Sequence, residues 1–157
     1  MAKGSYAQTI RVEVPLVAQS LDYTCGAACF ASLYQYFSRS GCGEMYFAEQ
    51  LGTLALGYTP PENIVALAKT YGFRSELSLD TKFSSLKKMC APGTVVLVTW
   101  WDEDAGHYSI VKQIERTHIV LMDPWTARKG LDNRLPLKDF LSFWRLRGKK
   151  MISVTRL

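Results

Sequence analysis

Between Tyr23 and Ser38 the chain carries no Asp, Glu, Lys or Arg. Cys25 to Ser38 has helical spacing, with Ser32, Gln35 and Arg39 forming one narrow polar stripe and Ala, Cys, Phe, Leu and Tyr over most of the remaining surface. A helix of that kind must be covered on most sides, so other elements have to wrap around it. It does not read as a membrane span, because Thr, Ser and Gln interrupt it. The strongest apolar run elsewhere, Thr94 to Trp101, is eight residues, far below the ~20 that crossing a bilayer requires. With 157 residues, the chain is expected to form a single domain over residues 1–157, and that length needs no disulfide or metal to fold. Its 48% apolar and 21% charged residues exclude a disordered chain, and a net charge of +5 is too weak to indicate nucleic acid.

The remaining elements follow from periodicity and punctuation. Alternation predicts a strand over Ile10–Val14, stopped by Pro15. The long helix should start at Cys25, with Asp22 or Thr24 as its cap. A short helix is expected around Glu44–Leu51. Thr59-Pro-Pro-Glu62 has the pattern of a capping box opening a further helix, which Gly72 can close. Phe73–Leu79 reads as a strand and Lys82–Cys90 as a helix. Strands follow at Thr94–Trp101, His107–Glu115 and His118–Asp123, then a helix from Pro136 to about Arg145 and a last strand at Met151–Thr155. Helices first and antiparallel strands later give the α+β class.

Four cysteines, Cys25, Cys29, Cys42 and Cys90, show no framework spacing, and Cys25 and Cys29 share one helix. No C-x-x-C pair occurs, and His107 and His118 lack finger spacing, so neither structural zinc nor a cofactor is expected. The N-terminus, Met1-Ala-Lys-Gly-Ser5, lacks the apolar core of a signal peptide, which points to the cytoplasm.

Cys25 sits in a helix's first turn, where unpaired N–H groups and the positive end of the helix dipole favour a thiolate. Alone it would read as a buried core cysteine. Gln19 lies six residues earlier, in the loop entering the helix, and its amide can point where the Cys25 N–H points. His107 opens one strand of the hairpin and Asp123 ends the other. The turn near Arg116 makes facing residue numbers sum to about 232, which brings those two together on one face. A carboxylate there would hold the imidazole's tautomer and stabilise its cation.

These residues resemble the bacteriocin-processing, double-glycine-type cysteine peptidases of the papain-like superfamily. The resemblance rests on Val14-Pro15, Gln19, Asp22-Tyr-Thr-Cys25-Gly-Ala-Ala-Cys29, Gly106-His107-Tyr108 and Asp123-Pro124-Trp125, in order from about Pro15 to Trp144. Leu51-Gly52-Thr53, with the proline-led helix after it, looks like stand-alone members. Leader-trimming members usually precede a membrane transporter and an ATPase on the same chain, so the resemblance implies the chemistry for this chain and not a leader-peptide substrate. The resemblance implies a papain-like fold with its central N-terminal helix packed on an antiparallel β-sheet. It implies Cys25 as nucleophile, His107 as general base, Asp123 as orienting carboxylate and Gln19 as oxyanion donor. The expected partner is a peptide or protein substrate, cut at a peptide or isopeptide bond, with no nucleic acid and no membrane span.

Two other functions share these residues. Thioester chemistry could end in transfer to an amine or in deamidation, or the fold could bind peptides without turnover; Cys25 argues against the latter. Cys29 is expected in the core, Cys42 in a loop, Cys90 on a helix face and His118 at an edge. Asp102, Glu103 and Asp104 read as a solvated turn rather than a calcium site, with a weak bias toward basic substrates. Trp100, Trp101 and Trp125 are expected as core or cleft walls. Arg145, Arg147, Lys149 and Lys150 read as a solvated basic face.

Overall fold

The structure, a computed structural model, describes residues 8–101 and 106–157. Its framework is a six-stranded antiparallel sheet: β1 Phe73–Ser78, β2 Thr94–Trp100, β3 His107–Ile114, β4 His118–Met122, β5 Asn133–Pro136 and β6 Met151–Arg156. The spatial order is β1-β6-β2-β3-β4-β5, so the last strand inserts between β1 and β2. The helices are α1 Cys25–Ser38, α2 Glu44–Gln50, α3 Thr53–Leu56, α4 Pro61–Thr70, α5 Phe83–Met89 and α6 Leu137–Leu146.

Burial explains the uncharged segment. Ten of the fourteen residues of α1 are buried, and the helix lies between β3 and α2. Phe30, Leu33 and Phe47 pack there against Leu97, Ile110 and Ile152 of the sheet. The opposite face of the sheet carries a second core, in which Val96, Val98 and Trp100 meet Leu86 of α5 and Phe140 and Trp144 of α6. Strand β2 is therefore apolar on both sides, because successive residues point into different cores. No helix among the described residues is long and apolar enough to cross a membrane.

The expected elements recur with shifts of a residue or two at most boundaries, and three expectations need correction. Ile10–Val14 is not a strand. The β2–β3 pairing stops at Leu97 and Ile110, and β3 bulges between Val111 and Gln113. The N-terminal segment uses what this leaves free, with Val12 N–H donating to Lys112 O and Thr9 N–H to Ile114 O. Val14 N–H then turns back to Val12 O, which ends any ladder.

The capping box at Thr59 does not form, since Pro60 holds the N-cap position and Thr59 shares a 2.7 Å hydrogen bond with Thr53. The basic face is only partly solvated. Lys149 pairs with Asp80, but Arg147 and Lys150 line the cleft described below. Helix α3, strand β5 and a 3-10 turn at Thr126–Lys129 had no forecast. The acidic turn Asp102–Asp104 and the first residues, Met1–Ser5, lie outside the described residues.

Candidate active site

The loop before α1 is tied down by one buried carboxylate. Glu44 accepts 2.6 Å hydrogen bonds from Ser20 N–H, the Ser20 hydroxyl and the Thr24 hydroxyl. Thr24 holds the N-cap position without capping, because its hydroxyl is spent on Glu44 and Leu21. The first N–H groups of α1 therefore have no side-chain acceptor from their own cap.

Cys25 is the first residue of that helix, and its Sγ accepts the Tyr108 N–H at 3.5 Å. Gly26 follows because nothing larger fits: a Cβ there would come within 2.7 Å of the Thr59 side chain. Thr59 is itself fixed, its carbonyl accepting the Tyr108 hydroxyl at 2.8 Å. Helix α1, the α3–α4 connection and β3 thus converge on the sulfur.

His107 and Asp123 meet as diagonal neighbours of the hairpin. Ile110 faces Met122 and Val111 faces Leu121, a sum of 232 in each case, as the sequence implies. His107 Nε2 and Asp123 Oδ1 lie 2.5 Å apart, both side chains buried. Asp123 also accepts Trp125 N–H at 2.9 Å and the Asn133 amide at 2.9 Å. Nε2 being committed to Asp123, Nδ1 is the nitrogen left for the sulfur.

Burial alone would pull the His107 imidazole down, but its hydrogen bond to Asp123 and the neighbouring Cys25 sulfur outweigh it, and its pKa is pushed up to about 9. Burial pushes the Asp123 carboxyl the other way, and its bonds to His107, Asn133 and Trp125 hold it below the usual carboxylate value. Both shifts favour the charged pair, an imidazolium beside a carboxylate.

Gln19 is buried and joins this assembly through its backbone, its N–H donating to Pro124 O and its carbonyl accepting Arg128 Nε at 3.0 Å. Its side-chain Nε2 donates to Leu21 O at 2.8 Å and to Asp22 O at 3.2 Å, while Oε1 has no hydrogen-bond partner among the described residues. Beside Cys25 opens a cleft of about 680 Å³, whose walls include Tyr23, Tyr58, Thr59, Tyr108, Arg147 and Lys150.

The other cysteines lie away from this opening. Cys29 is fully buried, and burial first, then the charges at Cys25 and Asp123, raise its thiol well above the ordinary value. Burial pushes Cys90 up to about 12. Cys29→Ser should cost stability more than rate, because a fully buried apolar thiol is exchanged for a hydroxyl that must be desolvated even where it back-bonds to its own helix. A loss of about 1–3 kcal/mol in chemical denaturation, with kcat within about twofold, is expected. His118 sits at the far end of β4, its Nδ1 beside the Thr117 hydroxyl, remote from the pair. Glu44 and Asn133 gave no signal in the sequence, since each acts through a hydrogen bond that only the fold creates.

The model of the peptidase C39 family matches residues 13–153. Three solved structures share the fold. The double glycine motif protease from an AMS/PCAT transporter, in complex with the leader peptide, has a TM-score of 0.73 at 18% identity, covering 96% of this chain and 99% of that one. The peptidase domain of Streptococcus ComA has a TM-score of 0.70 at 20% identity, covering 92% and 100%. A C39-like peptidase from Bacillus anthracis has a TM-score of 0.74 at 16% identity, covering 96% and 98%. No match is found among curated proteins. The family match over most of the chain agrees with a sheet-backed helix carrying a cysteine at its start, and the chain belongs to the peptidase C39 family of papain-like cysteine peptidases.

Proposed function

We propose that the chain hydrolyses a peptide or isopeptide bond through Cys25, His107 and Asp123, with Gln19 and the Cys25 N–H as oxyanion donors. The observation that carries the reading is the buried 2.5 Å contact between His107 Nε2 and Asp123, on a strand whose next residue, Tyr108, gives its N–H to Cys25 Sγ. The sulfur attacks the substrate carbonyl, and charge develops on its oxygen at the start of α1. Gln19 meets that oxygen by releasing the longer of its two bonds, the one to Asp22 O. His107 gives its proton to the leaving amine, and the acyl group stays on sulfur as a thioester. Water, deprotonated by His107, then attacks the thioester and returns the thiol. Asp123 keeps the imidazole oriented in both halves.

The substrate is a peptide lying in the cleft beside Cys25. A leader peptide, as bound by the AMS/PCAT relative, is the first class to try. In this reading the whole chain acts as one domain in the cytoplasm, where its four free thiols stay reduced.

Limited alkylation tests the nucleophile. With dilute iodoacetamide near pH 6 and mapping by mass spectrometry, Cys25 should be modified first. Cys29 and Cys90, whose thiols burial holds protonated, should remain unmodified. Equal labelling of all four cysteines would remove Cys25 from the chemistry.

A further inference from the structure

The reactive imidazole has an aromatic neighbour that the triad leaves out. Trp101 lies on the ring of His107 with centroids 4.2 Å apart and planes 15° from parallel. Trp100 approaches the same ring nearly edge-on, at 6.2 Å and 65°. Successive strand residues ordinarily point to opposite faces, so two adjacent tryptophans should not both reach one side chain. They do so because the backbone turns where β2 ends. Trp101 has a φ of +118°, a region that L residues rarely adopt and that costs of the order of 1–3 kcal/mol.

Surrounding groups hold this conformation. Trp125 packs edge-on against Trp101 at 6.3 Å, and the Arg128 guanidinium sits 4.0 Å over the Trp125 ring. Arg128 in turn donates to the Gln19 carbonyl. A run of contacts therefore links the imidazole to the loop carrying the oxyanion donor.

We propose that Trp101 is a positioning residue for His107, its indole fixing the plane of the imidazole between Cys25 and Asp123 and keeping water off one face. The proposal rests on His107 being the base. An imidazole held by one hydrogen bond at Nε2 can still tilt, and a parallel ring at stacking distance removes that freedom. The face of an indole is also electron-rich, so a desolvated imidazolium is favoured over it. The titratable groups facing His107 among the described residues are Cys25 from α1 and Asp123 from the end of β4. Asp102, Glu103 and Asp104 lie outside the described residues, so the test compares variants that leave them unchanged.

The test reads peptide turnover against pH in the parent, Trp101→Leu, Trp101→Phe and His107→Ala. Trp101→Leu should lose roughly 10–100-fold in kcat with KM nearly unchanged, a loss expected of a misaligned catalytic group. Its alkaline limb should move down by about one pH unit as the cation loses its aromatic face. Trp101→Phe should restore most of both. Parent-like kcat and pH profile in Trp101→Leu overturn the proposal, and equal losses in Leu and Phe variants reduce Trp101 to packing and overturn it too.

A measurement on the parent needs no variant to fold. The Cε1 proton of His107, one of only two histidines, should resonate upfield through the indole ring current. An unshifted signal means the stack is absent, and the proposal fails. Full turnover in His107→Ala would instead sink the assignment of the base, whatever Trp101 does.

Discussion

Cys25→Ala should abolish peptide cleavage while leaving a folded protein. The sulfur is the only heavy atom lost, and at the edge of the core beside His107 its one hydrogen bond from the backbone is the Tyr108 N–H at a long 3.5 Å. Losing that acceptor should cost about 1 kcal/mol in thermal or chemical unfolding. The effect on rate is of another order, because no neighbouring group can carry the acyl intermediate. A fall of about 10⁴–10⁶-fold in kcat is expected, the range seen when a triad nucleophile is removed. His107→Ala should fall as far in rate and melt lower, because it strips Asp123 of one partner and leaves the Asn133 amide and the Trp125 N–H. Turnover by Cys25→Ala above a hundredth of the parent's, in a preparation free of other peptidases, would end the account.

Asp123→Asn carries the second large effect, and its sign in pH follows from the charges. An asparagine can still accept the His107 Nε2–H and the Trp125 N–H through Oδ1. Its Nδ2 would then face the Nδ2 of Asn133, a clash of donors that turning the Asn133 amide relieves. The fold should survive. The imidazolium, however, loses the carboxylate that offset its burial, so its pKa drops from about 9 and the alkaline limb of kcat/KM moves to lower pH. A rate loss of about 10²–10⁴-fold is expected at neutral pH.

Stability reports the same change. The raised imidazole stabilises the parent fully below its ordinary value of 6.5, and that contribution disappears as pH rises through about 9. In Asp123→Asn the decline across this window should flatten. Denaturant midpoints measured from pH 6 to 10 would show it, and parallel curves for the two proteins would remove Asp123 from the pair.

What could be read in the sequence was what local pattern determines. The uncharged run before Ser38 announced a covered helix, and hairpin arithmetic brought His107 to Asp123 before any coordinates. Cys25, Gln19, His107 and Asp123 were singled out from helix-start chemistry, spacing and family likeness, and the fold places Cys25, His107 and Asp123 in one cluster. The failures have two causes. Ile10–Val14 alternates like a strand, yet pairing depends on which edge of β3 remains open. Thr59 has the spacing of a cap, yet Thr53 competes for its hydroxyl. Arg147 and Lys150 look like a solvated run until the end of α6 brings them to the wall of the cleft that Cys25 also lines. Trp101 reads as a wall, and only the backbone turn at its own φ puts it on the imidazole. Two of these turn on residues distant in sequence, and the other two on a contact six residues away that depends on a loop conformation rather than on periodicity.

The placement of β6 sets a condition on when the catalyst can exist. Strands β1 and β2 share no ladder of their own, and residues 151–156 must slot between them before the sheet is continuous. A chain that already displays Cys25, His107 and Asp123 but lacks β6 still has two unpaired strand edges, the one on β2 strongly apolar, prone to pair with a neighbour. The sheet that backs α1 is therefore complete only once β6 is seated between its two neighbours. A shortened chain ending near residue 150 should precipitate instead of idling as a weak enzyme.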